Sequence, residues 1–176
     1  MITIQDLKFK TFLNKEQIRE RITELATQIN HDMAGQNPLF LGILNGSFMF
    51  LSELFKQINV SCEVSFLKVN SYHNTASSGK IRELIGLSTP IEGRHVVIVE
   101  DIVDTGFTLD FLINTLQKGN PASIRTITLL HKPSAMKFDH KIDYLGFEIE
   151  NKFVVGFGLD YNGYGRNSEE ILVKAD

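Results

Sequence analysis

The run Val96-Val97-Ile98-Val99-Glu100-Asp101-Ile102-Val103-Asp104-Thr105-Gly106-Phe107-Thr108 constrains this chain more than any other stretch. Its β-branched residues suit a strand buried on both faces, and they end abruptly in three carboxylates within five positions. The chain then turns through Thr-Gly-x-Thr into a segment with helical spacing. A buried strand that opens at its carboxyl end into a polar loop is where open α/β sheets bind ligands. Thr105, Gly106, Phe107 and Thr108 offer successive N–H groups, two hydroxyls and a helix start, which together seat a phosphate dianion without any lysine. Glu100 and Asp101 are adjacent carboxylates, which repel each other unless a hard cation or sugar hydroxyls lie beside them. A phosphorylated sugar with Mg²⁺ meets both demands. Asp104 is left to accept or position a proton.

Composition narrows the class. The 176 residues are 43% hydrophobic and include 13 Phe, enough for one sizeable core, so residues 1–176 read as one domain. Eighteen Lys and Arg against 21 Asp and Glu give a net charge of -3, and no basic block tracks a nucleic-acid backbone. Nucleic acid is not an expected partner. The lone cysteine, Cys62, excludes an intrachain disulfide and sits in an alternating apolar segment, so it reads as a core thiol in a reducing, cytoplasmic protein. Residues 1–12 lack the pattern of a signal peptide and no apolar run approaches spanning length, so no membrane is expected.

The rest of the chain alternates helix and strand signals. Asn14 and Gln17 make a capping-box pair, and Ile18, Ile22, Leu25 and Ile29 recur at helical spacing, predicting a helix over Lys15–Asp32. Leu39–Leu44 suits a buried strand. It runs into Leu44-Asn45-Gly46-Ser47-Phe48, with Phe48, Leu51, Phe55 and Ile58 on one helical face; this is a second anion seat. Cys62, Val64 and Phe66 alternate within a predicted strand over 60–69. Residues 70–80 are small and polar, a lid in the functional reading, and 81–87 pair back as a strand. Leu109, Leu112, Ile113 and Leu116 give a helical face stopped by Gly119-Asn120-Pro121, and 123–130 form a further strand before His131-Lys132-Pro133. Three or four such alternations argue for an α/β fold with a mostly parallel central sheet flanked by helices. His31, His95, His131 and His140 are scattered, have no zinc-ligand spacing and receive no catalytic role.

Residues 97–109 resemble the phosphoribosyl-pyrophosphate binding motif of type I phosphoribosyltransferases. The chain from about Pro38 onward is similar to the hypoxanthine (hypoxanthine-guanine) phosphoribosyltransferase family, most closely again at Lys152-Phe153-Val154-Val155-Gly156-Phe157-Gly158-Leu159-Asp160-Tyr161, Tyr164 and Arg166. The resemblance implies a type I phosphoribosyltransferase domain over 1–176, with a small hood built from the terminal segments. It implies transfer of a phosphoribosyl group to hypoxanthine, with guanine as a second acceptor, in purine salvage with Mg²⁺, by a homodimer or homotetramer.

Residue by residue, the resemblance assigns the ribose hydroxyls and metal to Glu100 and Asp101, with Asp160 at a second Mg²⁺ and near any 2-amino group. Asp104 becomes the acid/base group facing N7 and, with Thr105, Gly106, Phe107 and Thr108, part of the 5′-phosphate loop. Leu44, Asn45, Gly46 and Arg166 hold pyrophosphate, the Leu44–Asn45 peptide being cis. Ser71 and Tyr72 belong to a lid that excludes water. Lys132 donates to the exocyclic oxygen of a 6-oxopurine, which argues against adenine; Phe153 stacks on the base and the Val154 backbone bonds its edge. The chain departs from many relatives at Asn45, where they place Lys or Arg, and at Phe107, where several place Lys or another polar residue. The alternative readings are a non-catalytic regulator retaining the phosphoribosyl-pyrophosphate site, a xanthine-preferring or pyrimidine-specific transferase, and a nucleotide hydrolase.

Overall fold

A computed structural model describes residues 1–71 and 82–175. In chain order it contains β1 (Ile2–Ile4), β2 (Leu7–Leu13), α1 (Lys15–Asp32), β3 (Leu39–Leu44), α2 (Phe48–Phe55), β4 (Glu63–Ser71), β5 (Arg82–Ile85), β6 (His95–Val103), α3 (Phe107–Gln117), β7 (Ser123–His131), β8 (Tyr144–Glu148), β9 (Val154–Val155) and β10 (Ile171–Lys174). The expected capping box starts α1: Asn14 Oδ1 accepts from Gln17 N at 2.9 Å and Gln17 Oε1 accepts from Asn14 N at 3.0 Å. Ile18, Ile22, Leu25 and Ile29 then line the buried side, as their spacing predicts.

The main sheet has the order β5-β4-β3-β6-β7-β8, parallel throughout except for the antiparallel β5. β6 lies near its middle. Val97 and Val99 face a core shared with α1 and α2, while Val96 and Ile98 face one shared with α3, which explains an unbroken β-branched run. The outer strand β8 has part of its free edge covered by Arg21 of α1, whose Nε and Nη2 donate to Gly146 O at 2.9 Å and Leu145 O at 2.6 Å. The two ends of the chain meet in a second, antiparallel sheet, β1-β2-β10-β9, packed around Phe9, Val155 and Leu172. This is the hood. Among the described residues no helix is long and apolar enough to cross a membrane.

Two expectations need correction. The buried stripe of α2 is Phe50, Leu51 and Leu54, with Phe48 42% exposed and Phe55 only partly buried. Six of its eight residues are apolar, so periodicity alone does not choose a face. In β4 the face carrying Val64 and Phe66 is the open one, at 42% and 43% exposure, and Leu67 points into the α3-side core instead. Cys62 precedes the strand and is partly exposed; its burial pushes the thiol upward, away from nucleophilic reactivity. The short α2 covers β3 and leaves much of this side of β4 bare.

Gly146 sits so close to β7 that a Cβ there would overlap the Leu129 carbonyl. Gly146→Ala is therefore expected to cost about 1–3 kcal/mol by forcing β7 and β8 apart. A lower urea midpoint with unchanged slope checks it.

Candidate active site

The parallel register brings the carboxyl ends of β3, β6 and β7 to one side of the sheet, and the segments that leave them form the site. At the end of β6, Glu100 is 6% exposed. Burial, reinforced by the charge of Asp101, holds its carboxyl well above the usual range. Burial likewise pushes Asp101 up to about 6, against the pull of hydrogen bonds from the backbone of Asp101 and Ile102 and the charge of Arg166, and with the added push of Asp160. Asp101 reaches across to β3's loop: a Cβ at Gly46 would overlap its carboxylate.

The loop expected to seat a phosphate follows directly. Glu100, Ile102, Val103, Asp104, Thr105, Gly106, Thr108 and Leu109 line a cavity of about 230 Å³ at the start of α3. Gly106 occupies the N-cap with φ 80°, a conformation that favours glycine, and packs its α-carbon against Met136 and Phe138. Thr105 O accepts from Lys137 N at 3.1 Å, anchoring the loop from outside. Phe107 turns the same way, its ring edge-on to Phe138 at 5.0 Å with Lys137 Nζ 5.2 Å from its centroid. Its side chain does not line the cavity, so the departure at this position leaves the seat intact.

The second loop carries the cis Leu44–Asn45 peptide that the resemblance implied. Asn45 is exposed. Gly158, at φ 101°, packs against the Gly46 carbonyl, and Arg166 donates to Gly158 O at 2.6 Å while pairing with Asp160 at 2.7 Å. Asp160 also accepts from Gly163 N at 2.6 Å. Residues 44–46, Asp101, Gly158, Asp160 and Arg166 thus form one connected group. Gly158 was not among the sequence candidates; the clue lay in a glycine two residues before an acidic residue, which sequence alone does not distinguish from an ordinary turn.

Lys132, 6% exposed, reaches back from the end of β7 to Asp104, Nζ to Oδ2 at 2.9 Å. Phe153 is 44% exposed and rests on Phe9 and Tyr161 at ring distances of 6.2 and 5.7 Å. It does not line the phosphate cavity. Val154 belongs to β9, the hood's edge strand. Its register with Val173, together with the bond from Lys174 N to Phe153 O at 3.1 Å, directs the Val154 N–H and C=O away from β10. Those two groups are thereby presented at the sheet edge. Ser71 ends β4, and Tyr72 lies outside the described residues.

Among the described residues, no three His, Cys, Asp or Glu side chains gather closely enough to cage a metal. Glu100, Asp101 and Asp160 are therefore not a complete ligand set. They nevertheless fit Mg²⁺, which is held by one or two carboxylates together with water and substrate oxygens rather than by a protein cage.

Parallel strands whose carboxyl ends gather a carboxylate pair, a cavity at a helix start and a glycine loop place the chain among the α/β transferases. Residues 9–162 match the family described as phosphoribosyl transferase domain. The chain belongs to this phosphoribosyltransferase family. It is 40% identical over 165 residues to the hypoxanthine-guanine phosphoribosyltransferase of Bacillus subtilis (strain 168), covering 93% of this chain and 92% of that one. Its identity to the enzyme of the same name from Streptococcus pneumoniae (strain ATCC BAA-255 / R6) is 44% over 169 residues, 96% and 93% of the two chains. The crystal structure of a hypoxanthine phosphoribosyltransferase from Staphylococcus aureus superposes with a TM-score of 0.90 at 38% identity, over 97% of this chain and 92% of that one.

The raised carboxyl of Asp101 gives a pH signature. The folded protein holds a proton that the unfolded chain has released, between the ordinary value of 3.8 and about 6. Relative to Asp101→Asn, the ligand-free wild type is expected to lose stability as pH rises through that window and to change little above it. Urea midpoints of both proteins at about pH 4.5, 6 and 7.5 check the sign; a wild type that gains on the variant with rising pH contradicts it.

Proposed function

We propose that the protein is a purine salvage enzyme that transfers the 5-phosphoribosyl group from phosphoribosyl pyrophosphate to hypoxanthine, with guanine as a second acceptor, giving IMP or GMP and pyrophosphate. The observation that carries the reading is the Lys132–Asp104 pair at 2.9 Å beside the phosphate cavity. An ammonium and a carboxylate in contact present a donor to a 6-oxo group and a proton acceptor to the neighbouring N7. Adenine, with an amino group in place of the oxygen, offers Lys132 no acceptor. The 40% identity to a relative named for hypoxanthine and guanine supports the same choice.

In this mechanism Thr105, Gly106, Phe107 and Thr108 hold the 5′-phosphate, by backbone N–H groups and the two threonine hydroxyls, so C1 of the ribose is fixed relative to the base. Glu100 and Asp101 orient the ribose hydroxyls. Leu44, Asn45 and Gly46 receive the leaving pyrophosphate, and Arg166, already aligned by Asp160 and Gly158, offers it a bidentate cation. Asp104 accepts the proton at N7 as the base nitrogen attacks and the C1–oxygen bond breaks. Phe153 and the edge-presented Val154 backbone hold the base plane, and Ser71 and Tyr72 belong to a covering lid. Glu100, Asp101 and Asp160, together with substrate oxygens, would hold Mg²⁺, which would supply charge neutralisation for the departing pyrophosphate.

The working form is a cytoplasmic homo-oligomer of single-domain chains. Phe48, Val64 and Phe66, each more than 40% exposed, supply the apolar face that a second copy would cover. The relatives' names do not favour the alternatives, a regulator that binds phosphoribosyl pyrophosphate without catalysis and a xanthine-preferring transferase.

Purified protein given Mg²⁺, phosphoribosyl pyrophosphate and equimolar hypoxanthine, guanine, xanthine and adenine is expected to form IMP foremost and no AMP. Asp104→Asn is expected to lose about 10²–10⁴-fold in kcat. Binding of phosphoribosyl pyrophosphate with no nucleotide formed would favour the regulator. Asn45→Lys restores an ammonium at an exposed loop position and is expected to lower the KM for phosphoribosyl pyrophosphate roughly two- to fivefold, leaving the KM for the base unchanged. Steady-state kinetics with each substrate varied in turn decide it.

A further inference from the structure

Ser47 is fully buried, and its Oγ has no hydrogen-bond partner among the described residues. A buried hydroxyl left unpaired costs about 1–3 kcal/mol, so one held at such a position calls for a partner. The helix does not supply it. Ser47 occupies the N-cap of α2, where a serine ordinarily bonds an N–H two or three residues on, yet its φ of -74° and ψ of -6° are helical rather than extended, and no cap bond forms. Its backbone is already committed, N to Ile43 O at 3.2 Å and O from Leu51 N at 2.8 Å. Among the described residues, then, the hydroxyl makes no hydrogen bond that alanine would lose.

Its place in the chain shows where a partner arrives. Ser47 follows Gly46, whose α-carbon abuts the Asp101 carboxylate and whose carbonyl abuts Gly158, itself bonded to Arg166. The unpaired hydroxyl therefore stands at the root of the loop around which a carboxylate and a guanidinium converge. We propose that Ser47 is a positioning residue for the diphosphate: when the ligand occupies residues 44–46, the Ser47 hydroxyl gains a hydrogen bond in the bound loop and fixes it in the binding geometry. This rests on the reading that residues 44–46 receive the diphosphate.

The test is calorimetric titration of wild type, Ser47→Ala and Ser47→Cys with magnesium diphosphate, alongside thermal unfolding without ligand and separate KM values for phosphoribosyl pyrophosphate and hypoxanthine. The expected result is a free Ser47→Ala protein at least as stable as wild type, with diphosphate bound about tenfold more weakly. Its KM for phosphoribosyl pyrophosphate rises and its KM for hypoxanthine stays put, while Ser47→Cys, nearly isosteric and a weak donor, falls between. Equal diphosphate affinity in all three proteins overturns the proposal. So does a destabilised Ser47→Ala with unchanged affinity, which would mark a permanently buried water as the hydroxyl's partner. If Ser47→Ala does not fold, Ser47→Cys decides alone. A wild type that forms no nucleotide but binds diphosphate more tightly than the variants sinks the enzymatic reading and keeps this one; a wild type that does not bind diphosphate sinks both.

Discussion

Two adjacent carboxyl groups withdrawn from water at the end of β6 are the constraint around which this site is arranged. Side chains so placed lose hydration, and a second carboxylate adds to the loss, Asp101 for Glu100 and Asp160 for Asp101, which is why both hold protons more tightly than usual. The surroundings offset only part of this. Backbone N–H groups at Asp101 and Ile102 and the charge of Arg166 favour ionisation, while Asp160 opposes it. Gly46 and Gly158 follow from the same constraint, since a methyl group at either would collide with the Asp101 carboxylate or with the Gly46 backbone. The free protein therefore carries an electrostatic deficit that a cation and sugar hydroxyls would relieve on binding.

The Lys132–Asp104 pair works in the opposite sense. Lys132 has an 8% exposed side chain and Asp104 a 43% exposed one, so the carboxylate keeps some hydration that the ammonium lacks. An ammonium so buried depends on its partner. In the proposed mechanism a base entering between them must replace what each gives the other, and one that presents an acceptor to the lysine and a proton to the carboxylate does so without loss. Substitutions at the two positions are consequently coupled, and their effects on catalysis will not add.

Much of this was legible in the sequence, for identifiable reasons. The capping box of α1, the β-branched run of β6 and the glycine stop after α3 are local signals, and all three appear where the residues place them. The loop that lines the cavity at the start of α3 was legible because it is built from consecutive residues. What stayed hidden depends on partners distant in the chain. Nothing local says that Lys10 will lie opposite Val173 in the hood, or that Gly158 will press on Gly46. The face of α2 was misread because a helix apolar nearly all round has no polar side to orient it, and Cys62 was misread as a core thiol because alternation shows two faces without saying which is covered. Ser47 was legible as a residue but not as unpaired, since satisfaction of a hydroxyl is a property of the folded neighbourhood.

The two departures from the family pattern weigh differently for a physical reason. A phosphate seat made of helix-start N–H groups and hydroxyls draws on the backbone for much of its binding, so Phe107 can turn its ring outward onto Phe138 and Lys137 without removing a contact from the cavity. A loop facing a diphosphate depends more on side-chain charge, because the ligand bears more charge than two or three N–H groups can balance. Asn45 presents an exposed amide rather than a charge, and Arg166, which the proposed mechanism assigns to the diphosphate, is held by Asp160, which the same mechanism assigns to Mg²⁺. In the proposed mechanism diphosphate and metal would both act on the Asp160–Arg166 pair, so their binding is expected to be linked.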